Sequence, residues 1–300
     1  MIVVVLVIIA IVCFIIAFKL KNEHGACFPL DNDSNDTIST SANKNHSKRP
    51  PSLQVYTAIQ KSTSLTDNLN YDLYQFHFKN PTTNRICKRT LEVMVADDPV
   101  DFIRQMGYEE ITSLEKIVFP RPSERQEEYY YHLTRKHLPP NASSKDASAL
   151  ISRYTIDDDF GEKDMYSPNP ELIEYATQQK IKFSYYIGKK NLYRLIFNLL
   201  DIEEKIVFFV FCVYKDKMQK NGIKVCGNPA ACLHYDAFHE FARHQLDNSS
   251  YIKSVSRHSG VALRYFGEFT LPDGSIINGC SVNTIAYKTT LSYLKDSNLI

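Results

Sequence analysis

The chain carries an uninterrupted apolar run from Met1 to Phe18 (MIVVVLVIIAIVCFIIAF) with no charged or strongly polar side chain. At a rise of about 1.5 Å per residue, roughly 18 to 20 such residues cross a hydrocarbon core about 30 Å thick. Lys19 and Lys21 follow at once and would sit at one interface. A secretory leader has a basic region first, a shorter apolar stretch and a small-x-small cleavage site. This run starts at Met1 without a preceding basic residue and has no Ala-x-Ala site. Residues 1–21 are therefore expected to be a transmembrane helix that anchors a single-pass protein in the lipid bilayer.

Residues 22–52 include DNDSNDTISTSANKNHSKRPPS, have almost no apolar side chains, and close on Pro50-Pro51. Such a composition cannot bury enough surface to offset ordering entropy, so the segment reads as a flexible tether. A coil of this length holds its domain about 30 Å from the bilayer. Beyond it the composition is that of a folded protein, with 44% hydrophobic and 23% charged residues over the whole chain of 300. The formal net charge of +1, from 35 basic and 34 acidic residues, supplies no global field toward nucleic acid, and no nucleic-acid partner is expected.

Orientation in the membrane draws on opposed signals. Lys19 and Lys21 favour a cytoplasmic C-terminal side. Six cysteines beyond the anchor (Cys27, Cys87, Cys212, Cys226, Cys232, Cys280) and the glycosylation sequons at Asn32, Asn35, Asn45, Asn141 and Asn248 favour an oxidising, exoplasmic one. Cys226 and Cys232 are the local disulfide candidates, because Gly227 and Pro229 between them favour a turn. Cys212 lies in an apolar run and reads as a buried thiol.

From residue 53 to 300 the pattern is that of one α+β ectodomain. LQVYTAI, YDLYQFHF, RTLEVMVA and KIVF read as strands, and Tyr74, Phe76 and Phe78 alternate with polar neighbours as on a half-buried sheet. Asp98-Pro99 opens a short helix that Gly107 ends, and the Ser123/Gln126 capping box opens another that runs to Pro139-Pro140. Residues 141–167 are polar and interrupted, a loop or subdomain boundary that includes Asp157, Asp158 and Asp159; this acid triplet lacks the ligand spacing of a calcium loop. Then follow a helix from Pro170 capped by Asn169, a strand IKFSYYI, a helix NLYRLIFNLL, and the apolar run Ile206–Tyr214, expected as a central strand. A helix around DAFHEFARHQL precedes an antiparallel hairpin turning at Leu271-Pro-Asp-Gly274.

His234, His239, Glu240 and His244 are the residues that invite a catalytic reading, as in a hydrolase using histidine and acidic side chains. In HEFARH the histidines are five apart, about 140° around a helix, whereas zinc ligation from one helical face needs i and i+4. No metal and no cofactor are expected, and no Gly-rich spacing cradles phosphate. Tyr129, Tyr130, Arg135 and Lys136 form a candidate aromatic and basic contact surface.

The N-terminal β-branched apolar run, the lysines of FKLKN directly after it, and the Asn/Ser/Thr-rich tether resemble, over residues 1 to about 50, the anchors of envelope proteins of baculoviruses and related large insect DNA viruses. In that group the anchor sorts proteins to the inner nuclear membrane and then to the envelope of the occlusion-derived virion. The resemblance implies an envelope protein of the per os infectivity type, acting in attachment to or penetration of host cells, with other envelope proteins or a host receptor as partners. It carries no site residues with it. Without a viral context the same organisation implies a cell or endomembrane surface.

Overall fold

The computed structural model describes residues 68–155, 163–260, 262–270, 274 and 276–300. The expected anchor, the tether, the expected strand LQVYTAI and the acid triplet lie outside the described residues. Among the described residues no helix is long and apolar enough to cross a membrane, and the architecture is α+β.

Three strands, β1 (Tyr71–Lys79), β2 (Ile86–Met94) and β3 (Ile111–Ile117), form an antiparallel sheet in the order β2-β1-β3. Phe76 and Phe78 are buried and the intervening His77 is not, as the alternation requires. Asn80 closes the first turn by accepting from the N–H groups of Thr82 at 2.9 Å and Thr83 at 3.1 Å. Helix α1 (Pro99–Gln105) stops before Gly107, whose φ of 88° suits glycine. Strand β3 begins earlier than KIVF, and Phe119, past its end, is buried edge-on to Tyr71 at 5.4 Å.

Two compact units divide the chain. One contains Tyr74–Leu91 and Val100–Glu115 and closes its own core, in which Tyr108 meets Phe76 at 5.2 Å and Phe78 at 4.7 Å and Ile103 is fully buried. The other contains Glu92–Pro99 and residues 116–300 together with the start of β1, and is mostly helical.

In the helical unit, α2 (Glu124–Thr134) opens on the expected capping box, with Gln126 N–H donating to Ser123 Oγ at 3.3 Å and Ser123 N–H to Gln126 Oε1 at 3.0 Å. The polar stretch expected as a loop holds α3 (Ser144–Thr155). It starts at a second box, in which Asp146 accepts from Ser143 and from the Ser184 hydroxyl at 2.6 Å. Helix α4 (Pro170–Gln178) is capped by Asn169 as expected. The expected strand IKFSYYI is instead a single bridge, Leu69 to Ser184. Asn70 reinforces that bridge, its side chain donating to Ile181 O at 2.8 Å and accepting from Phe183 N–H at 2.8 Å.

Helix α5 (Lys189–Leu199) leads into α6 (Ile202–Lys220), which corrects the expected central strand. Ile206–Phe211 are each 0% exposed, so the run is the middle of a helix covered on every side. Length and ends decide it: Asp201 caps the start, Glu203 and Glu204 occupy the first turn, Lys217 and Lys220 the last. A short apolar run fits a buried strand or a buried helix equally well by periodicity, and the flanking charges carry the distinction. Around it lie α4, α5, α7 (Tyr235–Gln245), α8 (Ser249–Val255) and α9 (Ile285–Asp296). The hairpin is present but short: β4 (Glu268–Thr270) pairs antiparallel with β5 (Ile276–Asn278), Phe269 opposite Ile277. Past β5 the expected second arm becomes a bridge, Phe266 to Cys280, and a turn, and its last residues, Ile285–Tyr287, open α9, capped by Thr284.

Candidate functional site

Helix α7 sets Tyr235, His239 and Arg243 four residues apart, hence along one face, and that face meets the first turn of α6. His239 Nδ1 lies 3.3 Å from Glu203 Oε1, and its Nε2 lies 3.4 Å from Glu204 Oε1. Arg243 Nε donates to the same Glu203 oxygen at 3.2 Å. Tyr235 stands edge-on to the imidazole at 4.6 Å. With a carboxylate at each ring nitrogen, both contacts are hydrogen bonds only when both nitrogens carry protons.

Glu204 is the perturbed acid of the group. Burial raises its pKa above the ordinary glutamate value, His239 opposes that, and the neighbouring Asp201 and Glu203 add to it. Burial, followed by the Glu204 charge, pushes the Tyr235 phenol up to about 12. Tyr175, fully buried and stacked on Phe208 at 5.7 Å, lies on the inner side of Glu204, and burial pushes its phenol well above the usual range. On α7 a shallow depression is lined by Tyr235, Asp236, His239, Glu240 and Arg243.

The other histidines go elsewhere. His234 packs edge-on to Tyr214 at 5.5 Å, and His244 lines a separate depression with Glu240, Phe241 and Tyr293. The five-residue spacing separates His239 from His244 as the helix geometry requires. Among the described residues no three His, Cys, Asp or Glu side chains are placed to hold a metal ion. Glu203 and Glu204 take opposite nitrogens of one ring, so one ion cannot meet both carboxylates and a ring nitrogen. His258 is half-buried against Phe209 at 4.9 Å, and burial lowers its pKa.

The contact surface rearranges on the structure. Tyr130 is buried against Tyr154, which removes it from the surface, while Tyr129 and Tyr131 are exposed. Tyr131 lies against His137 at 5.1 Å, and Arg135 and Lys136 are exposed just past the end of α2. Arg135 holds a left-handed φ of 60° and its N–H donates to Tyr131 O at 2.7 Å, which fixes the turn. Cys226 and Cys232 are free thiols at either end of the Pro229–Ala231 turn, with Cys226 Sγ 3.2 Å from Asn228 O. Glu203, Glu204 and Tyr175 escape a reading of the sequence because they lie far from His239 along the chain and no spacing rule links them. Comparison with protein-family models, curated proteins and solved structures finds no match to this chain.

Proposed function

We propose that this is a membrane-tethered binding protein, anchored through residues 1–21, of the kind that serves in a viral envelope in attachment to or penetration of host cells. The observation that carries the binding reading is the exposed aromatic and basic group at the end of α2, namely Tyr129, Tyr131, Arg135, Lys136 and His137. Exposed tyrosine and arginine side chains on a fixed turn are the residue types that dominate recognition surfaces. The apolar run, the lysines behind it and the polar tether support the anchored part of the reading. The envelope assignment rests on the resemblance of that N-terminal organisation.

A hydrolase at His234–His244 has less support, because the three histidines face three different surroundings and only His239 meets carboxylates. The test is attachment of enveloped particles or cells displaying the full chain. Combined Tyr131→Ser, Arg135→Glu and Lys136→Glu substitutions are expected to abolish attachment while leaving the thermal midpoint unchanged. Full attachment by that variant would contradict the reading.

A further inference from the structure

One imidazole joins two helices through both of its nitrogens. His239 is on α7, with Nδ1 3.3 Å from Glu203 Oε1 and Nε2 3.4 Å from Glu204 Oε1, and both carboxylates belong to the first turn of α6. Ring nitrogens occupied in this way leave none for a substrate, so His239 serves as a connector and not as a base.

The groups around the ring determine how many protons the contact needs. From α6 come Glu203, Glu204 and the cap Asp201, whose Oδ1 accepts from Glu204 N–H at 2.9 Å. From α7 itself, Arg243 Nε donates to Glu203 Oε1 at 3.2 Å, Tyr235 stands edge-on to the ring at 4.6 Å, and Asp236 and Glu240 line the adjacent depression. From the end of α4, Tyr175 lies beside Glu204, and Gln179 Nε2 donates to Glu204 Oε2 at 3.5 Å. The turn Pro229–Ala231 that packs on α7 holds no titratable side chain. Helices α8 and α9 meet α7 elsewhere, with Tyr251 and Tyr293 against Phe241, and Asp296 lining the depression that holds His244.

Within this set Arg243 is the one permanent cation, set against the carboxylates of Asp201, Glu203 and Glu204. A neutral imidazole has a single N–H, so one of its nitrogens would turn a lone pair toward a carboxylate. The doubly protonated ring donates from both nitrogens and adds the missing positive charge. Seen from the carboxyl side, burial raises the Glu204 pKa and His239 opposes it, as expected of groups that share a proton.

We propose that His239 is a proton-operated latch: with both nitrogens protonated it clasps α7 to the first turn of α6, and with the second proton gone it releases one carboxylate and α7 loosens. The latched state holds one more proton than the open state. The clasp is therefore complete in acid, below the ordinary histidine value of about 6.5, and is lost as pH rises above it.

The test follows amide hydrogen exchange of Tyr235–Gln245 in the full chain in neutral detergent at about pH 5.5 and about pH 8, corrected for the intrinsic pH dependence of exchange. Protection of α7 is expected to fall roughly tenfold from the lower pH to the higher, the size of one hydrogen bond to a charged group. In Glu204→Gln the neutral ring is satisfied, with Nδ1–H donating to Glu203 and Nε2 accepting from the introduced amide, so protection at the higher pH should match the parent's at the lower. His239→Gln should show the same protection at both pH values, below the parent's low-pH level. Equal protection of the parent at both pH values, or a fall in Glu204→Gln as large as the parent's, would overturn the proposal. The parent and Glu204→Gln suffice to decide, should His239→Gln fail to fold.

Discussion

The Nε2 of His239 lies 3.4 Å from Oε1 of Glu204, and this contact ties α7 to the start of α6, the central helix of the larger unit. The imidazole side chain is only 16% exposed, so the carboxylate it faces is partly shielded from water. His239→Gln is expected to destabilise the fold by about 1–3 kcal/mol, because one side-chain amide cannot meet Glu203 and Glu204 as the two ring nitrogens do. Combining it with Glu204→Gln should cost less than the sum of the two single changes, as measured by urea denaturation of all three variants.

Glu204 also sets a pH dependence. Its folded-state pKa is raised, so the folded protein holds this proton more tightly than the unfolded chain. The contribution is fully present below the ordinary glutamate value of 4.5 and is lost as pH rises through the folded value. Glu204→Gln should therefore flatten the fall in stability just above that pH. Urea midpoints from about pH 4 to about pH 7 measure it.

The boundaries and caps of this fold were legible where a polar side chain marks them, and the interior was not. The Ser123/Gln126 box, the Asn169 cap and the Gly107 stop each stand where their residue types require. A second box, Ser143 with Asp146, was equally visible in the letters, but polar neighbours masked the helix that follows it. Ile206–Tyr214 misleads because β-branched and aromatic residues favour strands wherever packing does not overrule them, and here burial on all sides does. Of the candidate site, His239 was legible and its partners were not, because the contact between α6 and α7 is tertiary.

A buried hydroxyl pair offers a second check on the core. The Tyr251 hydroxyl lies 2.7 Å from Thr290 Oγ1, both residues being 0% exposed, and so ties α8 to α9. Tyr251→Phe or Thr290→Val alone should cost about 1–3 kcal/mol, because the surviving hydroxyl is left unsatisfied. The double variant should recover part of that loss, read from chemical denaturation.

The cysteines are expected to differ in reactivity. Burial pushes the Cys212 thiol up to about 12, and it should resist alkylation in the folded protein. Cys226 and Cys232, both partly exposed on one turn, should be the first pair to close in an oxidised glutathione buffer. Peptide mapping under non-reducing conditions identifies the pair. A mixed pairing through Cys212 would contradict the assignment.

Anchoring is the central claim, and alkaline carbonate extraction of membranes carrying either the full chain or the chain lacking residues 1–21 tests it most directly. The account predicts that the full chain stays with the bilayer, whereas the shortened one is released with its thermal midpoint unchanged. Release of both, or retention of both, would contradict an anchor in residues 1–21.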